Sequence, residues 1–223
     1  MTYRYRKPSE IEKESLRIIR QELEAQGIVI PQEHRAVVER VIHTSADFDY
    51  AKNLVFTEGA VQQGIAALQK GTVIVTDTNM AKAGISSSAL SALGGTAVCY
   101  MADPEVAAKA GAAGTTRADA SVRHAATLHP GAVFAVGNAP TALYALTEEI
   151  ENGLRPALII AVPVGFVNVV EAKEAILSCC RRHDIPVIAA MGRKGGSTIA
   201  AAVCNALLYE AADMADPGRR GWK

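Results

Sequence analysis

The sequence predicts an α/β protein built on a parallel five-stranded sheet. After Gly71 the chain alternates short runs of β-branched residues with helical stretches. These runs are almost continuously apolar, which is typical of strands that are buried on both faces. The composition is 49% hydrophobic but only 5% aromatic. The core must therefore consist largely of Ala, Val, Ile and Leu, which suits helices packed closely on a sheet.

Helical patterns fill the segment before the first of these strands. The pattern Ser9-x-x-Glu12, just after Pro8, predicts a capped helix start. Pro31 is predicted to begin a second helix, and a third is predicted from Val61 to Gln69. The apolar sides of the first two helices are predicted to contain Ile11, Ile18, Ile19, Leu23, Val37, Val38, Val41 and Ile42.

Each of the five predicted strands leads through a polar or glycine-containing turn into a helix. Strands joined by helical crossovers run parallel, so these turns all lie at one edge of the sheet, which we call the carboxyl rim. Open α/β folds bind ligands at this edge. The predicted architecture is doubly wound and Rossmann-like, with helices on both faces. The strands are TVIVTD (72–77), GTAVCY (95–100), GAVFAVG (131–137), ALIIAVPV (157–164) and PVIAAMG (186–192).

Length and composition bound the class of protein. The 223 residues predict one domain, 1–223, in which a helical segment at 1–70 packs on an α/β core at 71–215. Lys and Arg number 23, as do Asp and Glu, without a basic stripe, which argues against nucleic acid. No apolar run reaches the ~20 residues that span a membrane, so a cytoplasmic protein is expected. The four cysteines lack metal-ligand spacing and are expected to be reduced thiols, with no metal bound.

Helix N-termini at the carboxyl rim favour a ligand that carries phosphate or carboxylate groups. GRKGGS (192–197) lacks the order of a phosphate loop, so its glycines fit a simple tight turn equally well. Arg193 and Lys194 in this turn are candidates for a carboxylate clamp. Arg117 is another, although an ordinary exposed arginine explains it as well.

A histidine ends the helical run in RVIHTSADFDYA (40–51). By helical periodicity His43 and Arg40 lie opposite the apolar side, so the pattern alone predicts that His43 is exposed. Ser15 falls within an apolar helix side, where a hydroxyl usually bonds the carbonyl one turn earlier. The histidines that compete with His43 as titratable groups are His34, His124, His129 and His183.

Six motifs follow one another along the chain. They are RVIHTSADFDYA (40–51), TDTNMAKAGIS (76–86), TTRADAS (115–121), VGNAPTAL (136–143), PVGFVNVVEAKEA (163–175) and GRKGGS (192–197). In order and spacing they resemble the precorrin-8X methylmutase family, also called cobalt-precorrin-8 methylmutase. The resemblance covers nearly the whole chain, and GNAPTAL, PVGFV and GRKGGS in succession are specific to it.

The resemblance implies a cofactor-independent isomerase of corrin synthesis that moves a methyl group from C-11 to C-12 of precorrin-8X or cobalt-precorrin-8. The product is hydrogenobyrinate or cobyrinate, and any cobalt is carried by the substrate. The family fold is a parallel α/β homodimer with sites near the interface. The resemblance further implies that His43, at the family's motif position, is the catalytic proton donor and acceptor. The substrate-binding residues that we expect are Ser15, Arg40, Ser86, Arg117, Asn138, Arg193 and Lys194.

Two other functions remain open at this point. A corrinoid-binding carrier would keep the fold and hold the macrocycle without performing chemistry on it. A nucleotide-binding α/β enzyme rests on analogy of fold alone, and the missing phosphate motifs count against it. Within the methylmutase interpretation, Arg40 would disfavour the protonated imidazole of His43 if the two side chains are close.

Overall fold

The computed structural model describes residues 7–220, and these residues form a mixed six-stranded sheet with helices on both faces. The strands are β1 Leu54–Phe56, β2 Ile74–Thr76, β3 Ala97–Val98, β4 Val133–Val136, β5 Leu158–Ala161 and β6 Val187–Ala190. Their spatial order is β1-β6-β5-β4-β2-β3. Strands β2 to β6 are the five predicted strands, and all their pairings are parallel.

The sixth strand corrects the predicted architecture. Strand β1 pairs antiparallel with β6, so the sheet is mixed rather than a purely parallel five-stranded one. It also lies inside the 1–70 segment, which was expected to be only helical. Three residues are too few to show strand periodicity between two helices. The strand covers the edge of β6, and the Thr57 hydroxyl extends the pairing by accepting a 2.9 Å hydrogen bond from the N–H of Val187.

The helices divide between the two faces of the sheet because neighbouring strand residues point in opposite directions. Val133 and Ala135 of β4 join the core under the first, second, fourth and last helices. Phe134 and Val136 join the core under the eighth, ninth and tenth. The bounds are α1 Pro8–Ala25, α2 Arg35–Ser45, α3 Tyr50–Asn53, α4 Ala60–Gln69, α5 Asn79–Gly84, α6 Ser87–Ala92, α7 Pro104–Ala113, α8 Arg117–Leu128, α9 Pro140–Glu151, α10 Val169–Arg182 and α11 Ser197–Ala211, followed by a 3-10 turn, η1, Pro217–Arg220.

No described helix combines the length and apolar character that crossing a membrane requires. The four cysteines are free thiols. The single domain 1–223 stays a prediction, and its ends, 1–6 and 221–223, lie outside the described residues.

The first two helices differ in detail from the sequence pattern. No side chain caps α1, so the predicted Ser9 capping box is wrong. Glu12 instead points inward with Ile19 and Leu23, while the predicted buried residues Ile11 and Ile18 are 48% and 42% exposed. Helix α2 begins four residues after Pro31, which lies in the preceding turn. The third predicted helix matches α4 within one residue.

The strand order reverses between β2 and β4, the position where doubly wound sheets open a ligand crevice. Here the carboxylate of Asp77, which is only 4% exposed, fills the start of α9. It accepts hydrogen bonds from the N–H groups of Gly137, Asn138 and Ala139 at 2.8, 2.7 and 2.8 Å. Burial raises the pKa of Asp77, and these N–H groups oppose that rise by stabilising the carboxylate.

Replacing Asp77 with Asn tests this bond set. The amide NH2 would face a backbone N–H that now has an acceptor, leaving a buried donor unsatisfied. We expect Asp77→Asn to lower the free energy of unfolding by about 2 kcal/mol and the Tm by about 4–8 °C.

The control is Asp103→Asn. Asp103 caps α7 by accepting from the N–H of Glu105 at 2.8 Å, and Asn caps a helix as well as Asp. Denaturant and thermal unfolding of both variants give the comparison. Equal stabilities of the two variants would contradict the assigned role of Asp77.

Candidate active site

The turns after β5 and β6 fit together through backbone contacts. The N–H of Gly196 donates to the carbonyl of Val162 at 2.9 Å, and the N–H of Gly165 donates to the carbonyl of Arg193 at 3.2 Å. A Cβ at Gly195 would lie 2.1 Å from the oxygen of Val162, so only glycine fits there. The glycines of GRKGGS therefore serve a close approach between two turns of the carboxyl rim.

The turns after β2 and β4 join the same platform. A Cβ at Gly137 would lie 2.8 Å from the Cα of Ser197. The hydroxyls of Ser197 and Thr78 are hydrogen-bonded at 2.8 Å. Four strand-to-helix turns thus form one continuous surface at the N-terminal end of α11.

Large apolar side chains stand exposed on this surface. Phe166 and Val167 are 81% and 76% exposed, and the guanidinium of Arg193 lies 5.6 Å from the centre of the Phe166 ring. Val164, in the same turn as Phe166, and Met80, at the start of α5, are also exposed. Contiguous exposed apolar groups mark binding surfaces, and a flat ligand with acidic edges suits this combination.

His43 differs from the other histidines in having a half-buried ring without a hydrogen bond or ring contact among the described residues. In that part of the chain no buried side-chain nitrogen or oxygen lacks a partner, so the ring nitrogens of His43 must reach the surface. The others have partners: His34 stacks on Phe56 at 3.9 Å, His124 meets Tyr100 edge-on at 4.9 Å, and His129 and His183 bond Tyr100 and Glu151 at 2.7 and 2.9 Å.

The surroundings of His43 lower its pKa. Burial is the main cause, and the guanidinium of Arg40 adds to it, with a further contribution from Arg220. The carboxylate of Glu12 acts in the opposite direction. The expectation that His43 is exposed was wrong, since the ring is half-buried.

Arg40 is occupied by the protein itself. Its guanidinium donates to the buried carboxylate of Glu12 and lies 5.3 Å from the ring centre of Tyr209. Arg220 donates to the same Glu12 oxygen at 2.6 Å. The Arg40 side chain is only 13% exposed, so its position suits an effect on His43 better than a contact with substrate.

Lys194 joins the segment after α2 to the carboxyl rim. Its ammonium donates to the carboxylates of Asp47 and Asp49, both at 2.6 Å. These hydrogen bonds raise the pKa of Lys194 and lower that of Asp47. Lys194 is therefore neutralised by protein carboxylates, while the same bonds bring the end of α2, one turn after His43, to the rim.

Arg117 and Asn138 lie on adjacent helix starts. The exposed guanidinium of Arg117 has no hydrogen bond or ion pair within residues 7–220. The hydroxyls of Thr116 and Thr141 are 2.8 Å apart and connect the starts of α8 and α9. The side chain of Asn138 is exposed, but its backbone N–H is taken by Asp77, so the helix start cannot bind a carboxylate there.

The two expected serines make local bonds. The hydroxyl of Ser15 donates to the carbonyl of Ile11 at 2.8 Å, on a side of α1 that leaves Ile11 and Ile18 partly exposed. The hydroxyl of Ser86 caps α6 by accepting from the N–H of Ala89 at 3.3 Å. The N–H of Ser86 donates to the Asn205 side chain at 2.7 Å. No hydrogen bond within residues 7–220 links either serine to His43.

One group in the described chain brings three metal-binding types of side chain within 4.8 Å: Glu151, Cys179 and His183. The Cys-x3-His spacing that places two of them on one helix side was not recognised in the sequence. The carboxylate of Glu151 accepts from both His183 and the guanidinium of Arg182. A neighbouring cation opposes metal binding, and these residues form an ion-pair network at the ends of α9 and α10.

Lys173 is a further polar residue that the sequence did not lead us to expect at the rim. Its side chain is 0% exposed, and its ammonium donates to the carbonyls of Gly192 and Lys194, both at 2.8 Å. The sequence holds a signal for it, because Lys173 lies on the apolar side of α10 between Val169 and Ile176. Asp77 gives a similar signal, as an acid directly after a buried strand.

Three concavities in the described chain, of about 680, 630 and 380 Å³, have linings that do not include His43. They lie beside α7 and α8, between α4 and α10, and between α2 and α11. The ring nitrogens of His43 therefore reach the surface outside these three concavities.

Comparisons with known proteins agree with this fold. The family model for precorrin-8X methylmutase matches residues 10–210. Cobalt-precorrin-8 methylmutase of Salmonella typhimurium is 44% identical over 79% of this chain and 81% of its own. Precorrin-8X methylmutase of Pseudomonas aeruginosa is 38% identical over 90% of this chain and 94% of its own.

A solved structure matches as well. Precorrin-8x methyl mutase from Thermus thermophilus superposes with a TM-score of 0.81 at 42% identity, covering 91% of this chain and 98% of that chain. Sequence and architecture therefore agree over most of the chain. The chain belongs to the precorrin-8X methylmutase family and is an isomerase of cobalamin biosynthesis.

Proposed function

We propose that this isomerase moves a methyl group from C-11 to C-12 of precorrin-8X or cobalt-precorrin-8, giving hydrogenobyrinate or cobyrinate. The observation that carries the proposal is the imidazole of His43, which is half-buried and has ring nitrogens open to a ligand. Relatives are named for both the cobalt-containing and the cobalt-free substrate. Any cobalt is part of the substrate, and the protein supplies no cofactor.

The reaction requires one proton from the protein and a substrate held in a fixed orientation. In a 1,5-sigmatropic shift the C-11 to methyl bond breaks as the C-12 to methyl bond forms, and the ring double bonds move without loss of atoms. Protonating a ring nitrogen increases the electron demand beside the migrating methyl group. His43 donates that proton and takes it back from the product, and a positioned acid of this kind contributes about 10²–10⁴-fold to the rate.

The lowered pKa of His43 suits this exchange. Burial and the Arg40 guanidinium disfavour imidazolium, so the protonated ring is a stronger acid than a free histidine. Once the proton has been transferred, the neutral imidazole keeps a nitrogen lone pair that can accept it again after the shift.

The carboxyl rim provides the other contacts that hold the substrate. Exposed apolar side chains such as Phe166 can cover a face of the macrocycle, while the guanidinium groups of Arg117 and Arg193 can bind its carboxylates. Asn138 and Ser86 add polar contacts in this proposal, and Lys194 acts by holding the segment after His43.

We further propose that the active form is a cytoplasmic homodimer. The exposed Phe166 and Val167 of the rim, and the exposed Ile11 and Ile18 beside Ser15, offer apolar surface that a second copy can cover. Covering this surface would exclude water from the reacting ring and strengthen the acid.

Replacing His43 with Ala separates the isomerase from a carrier. We expect kcat to fall at least about 100-fold, with corrinoid binding nearly unchanged, because only the acid is lost. The measurements are turnover of purified precorrin-8 substrate and equilibrium binding of the product. His124→Gln, at another half-buried histidine, is the control and should keep full activity. Near-normal turnover by His43→Ala would exclude the acid role.

Replacing Arg117 with Ala should affect binding more than chemistry. Its unpaired, exposed guanidinium is free to meet a substrate carboxylate, so we expect KM to rise about 10-fold while kcat changes little. Steady-state kinetics of this variant are compared with those of Arg181→Ala, an exposed arginine on α10. A reduced kcat at constant KM would argue against a clamp.

Replacing Arg40 with Gln should raise the pKa of His43. The variant removes a positive charge that disfavours imidazolium, while Glu12, which favours it, remains. An NMR titration of the imidazole protons measures the change in folded protein. Arg20→Gln, which removes the partner of Glu39 instead, serves as control. A pKa that stays constant or falls in Arg40→Gln would show that Arg40 does not act on His43.

A further inference from the structure

Lys173 is the one fully buried lysine of the described residues, and no carboxylate lies within ion-pair distance of it there. Burying an ammonium is costly unless its hydrogen bonds are satisfied. The two carbonyls of Gly192 and Lys194, each at 2.8 Å, provide that satisfaction. The buried ammonium of Lys173 makes both of these hydrogen bonds to the backbone of one turn, which indicates that it holds this turn in a defined conformation.

The bonds fix three successive carbonyls. Those of Gly192 and Lys194 accept from Lys173, and the carbonyl of Arg193 between them accepts from the N–H of Gly165 at 3.2 Å. Fixing each peptide plane also fixes the direction in which the side chains leave the backbone. The Arg193 guanidinium is thereby directed over the Phe166 ring.

We propose that Lys173 is a positioning residue, which holds the 192–195 turn from inside so that Arg193 and Lys194 point outward on the substrate-binding rim. The part of this inference that concerns substrate rests on the proposed function. Lys173 touches no substrate itself. It acts through Arg193, which meets a carboxylate, and through Lys194, which holds Asp47 and Asp49.

The charge of Lys173 depends on pH in the alkaline range. Loss of hydration lowers its pKa to about 8, and no ionic neighbour contributes to this shift. A neutral amine still donates hydrogen bonds, but weaker ones. The turn should loosen as the pH rises above 8. Charged side chains on α9, on α10 and beside the turn are Glu148, Glu149, Glu151, Glu171, Glu174, Arg181, Arg182, Arg193, Lys194, Asp47 and Asp49.

Limited proteolysis with trypsin measures opening of the 192–195 turn and does not need an assay of methylmutase activity. Trypsin cuts after Arg193 and Lys194 only when the turn opens, and cleavage after Lys70, in another exposed turn, is the internal reference. In Lys173→Met we expect cleavage at the 192–195 turn, relative to the reference, to be at least about 10-fold faster than in wild type at pH 7. Lys109→Met, an exposed lysine, is the matched control and should behave as wild type.

The pH dependence of this cleavage ratio is the second test. In wild type the same ratio should rise several-fold between pH 7 and pH 9, and in Lys173→Met it should be flat. An unchanged ratio in folded Lys173→Met overturns the proposal. So does equal acceleration at both sites, since that would indicate general loosening of the chain.

Kinetics with precorrin-8 substrate test the link to function. We expect Lys173→Met to raise KM several-fold with kcat within about 3-fold of wild type. The KM of wild type should also increase above pH 8, whereas the KM of Lys173→Met should not change with pH there. A lower kcat at unchanged KM contradicts positioning through Arg193. Absence of methylmutase activity in wild type would refute the proposed function, while the trypsin ratio would still decide whether Lys173 holds the turn.

Discussion

Backbone groups left unpaired where strands turn into helices must find partners, and at this carboxyl rim two buried ions provide them. The carboxylate of Asp77 takes three N–H groups at the start of α9, and the ammonium of Lys173 takes two carbonyls after β6. Neither ion has the other as its partner, so each can fix a separate turn. The rim is consequently shaped from the inside, and its outward side chains remain available for a ligand.

This arrangement also decides what the rim can bind. In nucleotide-binding relatives of the doubly wound architecture the helix start at the switch point receives a phosphate. Here Asp77 occupies that position, and its negative charge would repel an anion. Recognition must therefore come from exposed side chains, apolar ones such as Phe166 and guanidinium groups such as Arg193. A broad, acidic macrocycle matches that surface better than a nucleotide does.

The sequence predicted the elements that depend on local pattern and missed those that depend on distant contacts. Five apolar runs became β2 to β6, whereas β1 has three residues and exists because β6 offers an open edge. The periodicity of α2 predicted that His43 is exposed, whereas in the folded chain its ring is half-buried. Likewise Lys194 reads as a substrate clamp in sequence, and only folding brings Asp47 and Asp49 to it. The order of the motifs identified the family because several of them are the turns that together form the carboxyl rim.

The environment of His43 shows why both ends of the described chain matter to one imidazole. Glu12 from α1 lies between two guanidinium groups, Arg40 from α2 and Arg220 from η1. Without the carboxylate, two buried cations would repel each other, and with it an excess of positive charge still remains beside the ring. That excess weakens the hold of His43 on its proton while Glu12 limits the effect. The ion cluster thus joins three segments of the chain, and its net positive charge adds to the effect of burial in strengthening the acid.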